Sequence, residues 1–271
     1  MRFSNNNLIY IVLILFCSCA TSVPTTSTNE EARVELSKQL GNAVLWYQRA
    51  AEMQLAYEQA YAYARILLDR KLQQGSGEKP PAVVLDIDET VLDNSPYEAM
   101  LIKQGKVYEI STWNTWVELA TAEALPGAKD FVQYAADRGV EVYYISNRSV
   151  ALLKPTLENL KKLEFPYAYE SHVLLKEATS DKTSRRNKVR QNHEILLFVG
   201  DNLADYSHEF ADRDKNMGKD LVEKMKSELL NNFIMLPNPM YGEWEGAIYG
   251  NNYGLSDEMK LQKRKQALKD Y

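Results

Sequence analysis

The chain carries at residues 82–93 the stretch AVVLDIDETVLD, in which a short apolar run ends in two aspartates, Asp86 and Asp88. Apolar runs of this length, alternating with helical stretches, are typical of parallel strands that are buried on both faces. Ligands of such sheets bind at the carboxyl ends of the strands. The two aspartates are therefore the first candidates for a functional site.

Four further runs rich in Val, Ile, Leu and aromatic residues follow, mostly separated by helical-looking stretches. We predict strands at residues 82–87, 140–145, 172–175, 194–199 and 233–236. Residues 30–79 are rich in Ala, Leu, Gln and Glu with helical apolar spacing, and they predict one long helix or two shorter ones. The order of elements predicts an α/β fold with a parallel sheet and a smaller helical annex.

Polar residues follow two more of the predicted strands. The strand at 194–199 leads into Asp201 and Asp205, and the strand at 140–145 leads into the triplet SNR at 146–148. Four converging carboxylates would repel one another strongly, so the pattern predicts a hard cation bound by oxygen atoms, Mg2+. For any single aspartate, a helix cap or a turn is an equally good interpretation, because Asp is common after strands.

Five motifs together resemble the haloacid dehalogenase superfamily, and more closely the class C acid phosphatases of the lipoprotein e(P4) type. They are VLDIDETVLDNS at 84–95, SNR at 146–148, SDKTSRR at 180–186, GDNLAD at 200–205 and PNPMYGEW at 237–244. The resemblance implies a Rossmann-like parallel sheet, the haloacid dehalogenase fold, at residues 80–248. It also implies a cap insert at about 96–125. The charged tail at 249–271 lies beyond the resemblance, and the charge density of residues 256–271 predicts an exposed or frayed helix, a solvated surface element.

The resemblance implies a role for each aspartate. Asp86 is expected to attack phosphorus and form an aspartyl phosphate. Asp88 is expected to protonate the leaving group and then to activate water, in a protonated form that neighbouring carboxylates favour. Mg2+ is expected to bind Asp86, the backbone carbonyl of Asp88 and Asp201, with Asp205 close by or acting through water.

The same resemblance assigns the groups that bind the phosphoryl group and the leaving group. Ser146 and the backbone amide of Asn147 are expected to hold the phosphoryl group, and Lys182 to offset its charge and restrain Asp86. For a lysine in this charged region, a solvated helix face is the alternative. The aromatic residues implied around the leaving group follow: Tyr108, Trp113 and Tyr241. Their alternative is that they pack the insert against the body.

The implied activity is a broad acid phosphatase and 5'-nucleotidase. Nucleoside monophosphates, nicotinamide mononucleotide and pyridoxal phosphate are the expected substrates, and a homodimer is implied by the resemblance alone. The alternative function is a non-catalytic lipoprotein that captures a nucleotide or cofactor. The net charge of -5 gives no reason to bind nucleic acid polymers, and three histidines without an Arg-His-Gly motif do not fit the histidine acid phosphatases.

The first residues have the pattern of an export signal. Arg2 supplies a positive charge, residues 8–16 an apolar stretch too short to span a bilayer, and Cys19 follows the small residue Ser18. Residues 1–18 therefore resemble a lipoprotein signal peptide with lipid attached at Cys19, and a plain secretory signal is the alternative. Residues 19–29 predict a flexible tether. We expect an exported protein held by its lipid at the bacterial outer membrane.

Overall fold

A parallel five-stranded sheet forms the centre of the fold in the computed structural model, which describes residues 25–75, 77–213 and 215–271. The strands in chain order are β1 (Pro81–Leu85), β2 (Leu92–Asp93), β3 (Glu123–Ala124), β4 (Glu141–Ser149), β5 (Val173–Lys176), β6 (Glu194–Gly200) and β7 (Phe233–Met235). The sheet has the order β5-β4-β1-β6-β7, while β2 and β3 form a separate antiparallel pair. The predicted α/β class and its parallel sheet are confirmed.

Helices cover both faces of the sheet and extend beyond it. They are α1 (Thr25–Gln39), α2 (Gly41–Arg49), α3 (Ala51–Gln73), α4 (Ser95–Gln104), α5 (Ile110–Leu119), α6 (Ala128–Ala136), α7 (Leu153–Lys162), α8 (Thr183–Asn192), α9 (Leu203–Tyr206), α10 (Lys219–Lys224), α11 (Lys226–Asn232), α12 (Glu243–Ile248) and α13 (Asp257–Ala267). None of these described helices combines the length and the hydropathy needed to cross a bilayer.

Two hydrophobic clusters lie on opposite faces of the sheet. Along β1, Val83 and Leu85 belong to the cluster that contains the inward face of α3, and Ala82 and Val84 belong to the second cluster. Successive side chains of a strand point to opposite faces, so both faces of β1 must be apolar. This requirement explains the uninterrupted apolar run in the sequence before Asp86.

The N-terminal helices support the loop that follows β1. Tyr57 and Tyr61 on α3 are fully buried, and their hydroxyls donate to the backbone carbonyls of Glu89 and Thr90, both at 2.6 Å. A buried carbonyl needs such a partner, because an unsatisfied one costs free energy comparable to a lost hydrogen bond. The annex therefore fixes the backbone of the loop that carries Asp86 and Asp88.

The structure corrects the prediction for the start of the chain in two respects. Helix α1 begins at Thr25, so residues 25–29 are helical and do not belong to a flexible tether. Packing explains the difference, because α1 lies against α13, where Arg33 Nε contacts Asp257 Oδ2 at 3.1 Å. The helical region also divides into three helices, since Ala50 is extended. Residues 19–24, Cys19 and the predicted signal lie outside the described residues.

The insert after Asn94 is closed at its base by the short β2–β3 pair, which the sequence analysis did not predict. Leu92 pairs with Ala124 and Asp93 with Glu123 in antiparallel register. Helices α4 and α5 lie between these two strands in sequence. The pair thus ties both ends of the insert to the loop that follows β1, next to the carboxyl edge of the sheet.

The C-terminal segment forms helix α13 with mostly exposed side chains, as its charge predicts, but one face of the helix packs on the rest of the protein. Helix α13 packs against α1, and its Arg264 contacts Glu245 at 2.6 Å and donates to the Tyr249 hydroxyl at 2.6 Å. These contacts are long-range in sequence, and a local reading of charge density does not detect them. The segment forms part of the wall of the main cavity described below.

Candidate active site

The backbone of the loop after β1 is held in a tight turn. The Asp86 N–H continues the ladder with β6 by donating to the Val199 carbonyl at 3.0 Å. Glu89 has a φ of 53°, in the left-handed region that non-glycine residues seldom occupy. Its buried side chain accepts a hydrogen bond from the Asn94 N–H at 2.8 Å. The carboxylates of Asp86 and Asp88 are therefore presented by a backbone that is fixed from both sides.

Three of the four predicted acidic residues form one cluster. Asp86, Asp201 and Asp205 each offer an oxygen atom such that all three atoms lie within 4.8 Å of one another. Burial, opposed by Lys182 and reinforced by Asp205 and Asp88, raises the pKa of Asp86 to about 7. Burial and the charges of Asp205 and Asp86 also raise the pKa of Asp201 well above its ordinary value.

The donors in this cluster fit a hard divalent cation. Carboxylate oxygens are the ligands that Mg2+ prefers, and three of them meet here at one point in a largely buried setting. Lys182 supplies a single positive charge to the three carboxylates. Burial is the largest cause of the raised pKa values of Asp86 and Asp201, and repulsion from the neighbouring carboxylates adds to it. The residues thus offer the oxygen ligands of a metal site and more negative than positive charge.

Lys182 lies at the centre of the cluster, not on a solvated helix face. Its ammonium contacts Asp86 and donates to Asp205 Oδ1 at 2.7 Å, and the residue is 5% exposed. Burial lowers the pKa of Lys182, but Asp205 and Asp86 outweigh that effect and raise it above its ordinary value. Lys182 precedes α8, so this helix positions a permanent positive charge beside the candidate nucleophile.

Asp88 lies outside the three-acid cluster and has different partners. Its Oδ1 accepts hydrogen bonds from Arg148 Nε and Asn94 Nδ2, both at 2.9 Å, and its Oδ2 accepts one from Ser146 Oγ at 3.2 Å. Arg148 is 2% exposed. The sequence analysis considered only carboxylates around Asp88 and assigned no role to Arg148, which appears there only in the motif SNR.

The phosphate-binding candidates Ser146 and Asn147 lie within β4, which extends to Ser149 with an irregular register after Ile145. Arg185 donates to the backbone carbonyl of Ser146 and to Asn147 Oδ1, the latter at 2.7 Å. In the sequence analysis, Arg185 appears only as part of the motif SDKTSRR. The structure shows that the arginine itself holds the segment that carries Ser146 and Asn147.

The segment after β6 places Asp201 and Asp205 through a capping box on α9. The Asn202 side chain accepts from the Ala204 N–H at 3.1 Å, and Asp205 Oδ2 accepts from the Asn202 N–H at 3.0 Å. A Cβ at residue 200 would overlap Asp205 Oδ2, so the position requires glycine. Asn238, which the sequence analysis did not single out, donates to Asp201 Oδ2 at 2.9 Å.

One cavity of about 520 Å³ joins the acidic cluster to the aromatic residues predicted around the leaving group. Tyr108, Trp113 and Tyr241 all line it, together with Asp86 and Asp88. The volume is within the range of about 300–1,000 Å³ that small-molecule sites occupy. Of the site residues predicted in the described ranges, only Ser146 does not line this cavity, and its hydroxyl contacts Asp88, which does.

The aromatic residues of the insert form a cluster of their own. The Tyr97 ring lies 5.2 Å from the Trp113 ring and 6.3 Å from the Tyr108 ring, measured between centroids. Tyr97 is 1% exposed, whereas Tyr108 is 56% exposed. Tyr97 thus anchors the cluster, while Tyr108 leaves a ring available to a ligand. Of the two alternatives considered from the sequence, packing describes Tyr97, while the exposed ring of Tyr108 leaves binding open.

Comparisons with known proteins match most of the chain to acid phosphatases. A family model described as HAD superfamily, subfamily IIIB (acid phosphatase), matches residues 12–244. The chain is also similar to the solved structure of the class C acid phosphatase from Bacillus anthracis, with 44% identity and a TM-score of 0.84 over 88% of this chain and 99% of that chain. A second structure of that acid phosphatase, with tungstate bound, gives a TM-score of 0.83.

Curated relatives match a smaller part of the chain. Acid phosphatase 1 of Solanum lycopersicum is 28% identical over 166 residues, which are 58% of this chain and 57% of the relative. The stem 28 kDa glycoprotein of Glycine max is 28% identical over 156 residues, which are 55% of this chain and 58% of the relative. The chain thus spans less than two thirds of the length of these two relatives.

Proposed function

Because the chain belongs to subfamily IIIB of the HAD superfamily, the acid phosphatases, we propose that it hydrolyses phosphate monoesters with Asp86 as the nucleophile. The observation that carries this proposal is the environment of Asp86, whose carboxylate contacts Lys182 and shares a buried cluster with Asp201 and Asp205. A carboxylate held next to fixed positive charge is oriented for in-line attack on phosphorus.

The proposed reaction has two steps. An Asp86 oxygen forms a bond to phosphorus as the bond from phosphorus to the leaving oxygen breaks, and Asp88 gives its proton to that oxygen. Water then attacks the aspartyl phosphate, Asp88 takes a proton from the water, and phosphate leaves with Asp86 regenerated. Arg148, Asn94 and Ser146 hold the Asp88 carboxyl in place for both proton transfers.

The phosphoryl group would be held by residues that already surround Asp86. We assign Ser146, the backbone amide of Asn147 and Lys182 to this role, since each lies at the carboxyl edge of the sheet and Arg185 fixes the segment that carries the first two. Preorganised donors of this kind stabilise the charge that develops in the transition state. The related Bacillus anthracis enzyme binds tungstate, a tetrahedral oxyanion like phosphate.

The proposed cofactor is Mg2+, with Asp86, Asp201 and Asp205 as the carboxylate ligands and the Asp88 carbonyl as a further one. When bound, the cation would neutralise phosphate oxygens and keep Asp86 ionised. Asn238 and Lys182 orient the ligand carboxylates by hydrogen bonds to Asp201 and Asp205 at 2.9 and 2.7 Å.

We further propose that the substrates have flat leaving groups. Nucleoside monophosphates, nicotinamide mononucleotide and pyridoxal phosphate all fit a cavity with Tyr108, Trp113 and Tyr241 in its wall, because stacking tolerates different rings.

Lipid attachment at Cys19 would place the enzyme in the cell envelope. A Cys19→Ser variant should then leave the membrane fraction, and its retention there would contradict the anchor.

The test is phosphate release from p-nitrophenyl phosphate by the purified chain, with and without EDTA and with Mg2+ restored. We expect activity that EDTA abolishes, and Asp86→Asn should remove turnover while the circular dichroism spectrum and melting temperature stay close to wild type. Asp137→Asn, at an exposed position on the far end of α6, is the matched control and should keep full activity. A chain that binds nucleotides but releases no phosphate would instead support the ligand-capture hypothesis.

A further inference from the structure

Glu98 is a buried carboxyl group that the proposed mechanism does not use. It lies on α4, is 6% exposed and lines the same cavity as Asp86. Across the described parts of the chain, no residue forms a hydrogen bond or ion pair with its side chain. The Glu98 oxygens keep access to the open space of the cavity. A carboxyl that is largely shielded from water and has no protein partner gives up hydrogen bonds, so its presence in a ligand cavity needs an explanation.

The neighbouring acid Glu245 shows what a partnered carboxyl looks like in this cavity. Its Oε1 contacts Arg264 at 2.6 Å and accepts from the Tyr249 hydroxyl at 2.8 Å. Arg264 is thereby committed to Glu245 and Tyr249, and it does not compensate Glu98. Burial, with a further contribution from Glu245, raises the pKa of Glu98 to about 7.

Glu98 is also close to the aromatic wall. Tyr97, its neighbour in sequence, contacts the rings of Tyr108 and Trp113. Burial raises the pKa of the Tyr108 hydroxyl, and the charges that add to this effect include both Asp88 and Glu98. Tyr108 is therefore within electrostatic reach of the proposed general acid and of Glu98. A ring stacked on Tyr108 would present its polar edge to the surrounding wall, of which Glu98 is part.

We propose that Glu98 is a specificity-determining residue that accepts a hydrogen bond from an N–H or O–H group at the edge of the leaving group. The inference rests on the proposed function and names the substrate class for the same site, monoesters whose flat leaving group carries such a donor. A site that holds an unpaired buried polar group discriminates strongly against a ligand that lacks the matching partner. Phosphate monoesters without the donor are the disfavoured class.

The test compares substrates that differ by one donor in wild type, Glu98→Met and Glu98→Gln. Adenosine 5'-monophosphate is compared with three nucleotides that each lack one donor. Purine riboside 5'-monophosphate lacks the amino group, and 2'-deoxyadenosine and 3'-deoxyadenosine 5'-monophosphate each lack one hydroxyl. In wild type, we expect at least one deletion to lower kcat/KM about tenfold or more. In Glu98→Met, the ratio for that pair should fall to near one, and Glu98→Gln, which keeps an acceptor oxygen, should retain part of it.

Three results would overturn the inference. The first is no preference in any pair for wild type, and the second is a full wild-type ratio in Glu98→Met. The third is a loss of activity in Glu98→Met by one common factor for all substrates, including p-nitrophenyl phosphate. The last result is what a purely structural role predicts. Glu118→Gln, at an exposed position on α5, is the matched control and should keep every ratio.

Stability provides a second readout that does not depend on turnover. Replacing an unpartnered buried carboxyl by an apolar side chain of similar length should raise the melting temperature of Glu98→Met, and a lower one would indicate a structural role. Calorimetric titration with the same nucleotides should show the donor preference in binding to wild type and its loss in Glu98→Met. If wild type releases no phosphate from any monoester, the proposed function fails, and the titration still decides the role of Glu98.

Discussion

Replacement of Arg148 by Met should separate the role of Asp88 as an acid from a structural role. The Arg148 side chain is 1% exposed and that of Asp88 17%, and their charged groups meet at 2.8 and 2.9 Å. Removing one partner of a buried ion pair costs about 3–5 kcal/mol. Because Asp88 borders a cavity that admits water, we expect the lower end, a loss of about 3 kcal/mol in the free energy of unfolding.

The catalytic effect should depend on the leaving group. A general acid contributes about 10²–10⁴-fold, and an alkoxide needs its proton far more than p-nitrophenolate does. Without Arg148, Asp88 keeps Asn94 and Ser146 but loses the charged partner that directs its carboxyl. We expect kcat/KM of Arg148→Met to fall by about 10²-fold or more for a nucleoside 5'-monophosphate, and by less than about tenfold for p-nitrophenyl phosphate.

The assay is steady-state phosphate release for both substrates, alongside urea unfolding of each variant. Arg148→Lys is the matched variant, because it keeps the charge but cannot contact Asp88 and Asn94 together as the guanidinium does. It should show most of the selective loss with a smaller change in stability. Equal losses for the two substrates would refute the reasoning, since they would mean that Arg148 does not act through Asp88.

Three further substitutions test other contacts. Tyr61→Phe removes the hydroxyl bonded to the Thr90 carbonyl and should lower the free energy of unfolding by about 1–3 kcal/mol in urea titrations. Gly200→Ala should displace Asp205 and raise the Mg2+ concentration needed for half-maximal activity. Burial raises the pKa of Glu141, but contacts with His172 and His193 outweigh it and lower this pKa below its ordinary value. Glu141→Gln should therefore lower the melting temperature above about pH 4.5. The difference from wild type should vanish as the pH falls through the lowered pKa of Glu141.

The sheet could be predicted because its sequence signal is local and repeated. Five apolar runs of strand length are separated by helical segments, and buried parallel strands require such runs on both faces. The acidic cluster could be predicted for a related reason. Asp86 and Asp201 follow β1 and β6, which are neighbours in the sheet, so topology alone brings their side chains together.

The remaining parts of the site depend on contacts that no local pattern records. Arg148 could be identified as the partner of Asp88 only after β4 was placed beside β1. Glu98 reads in sequence as an ordinary polar position of an amphipathic helix, and its burial becomes visible only when the cavity is assembled. Arg264 and α13 were assigned to solvent because their charge density is high, although packing against α1 recruits them to the cavity wall.

The division of roles between Asp86 and Asp88 also arises from distant residues. The two acids are two positions apart on one loop, and the sequence motif makes them chemically alike. Asp86 receives Lys182 from 96 residues away, whereas Asp88 receives Arg148 from 60 residues away. The lysine is a compact charge shared between two carboxylates, Asp86 and Asp205, while the guanidinium forms a directed contact that orients a single carboxyl. It follows that the basic partners, more than the aspartates themselves, distinguish the proposed nucleophile from the proposed acid.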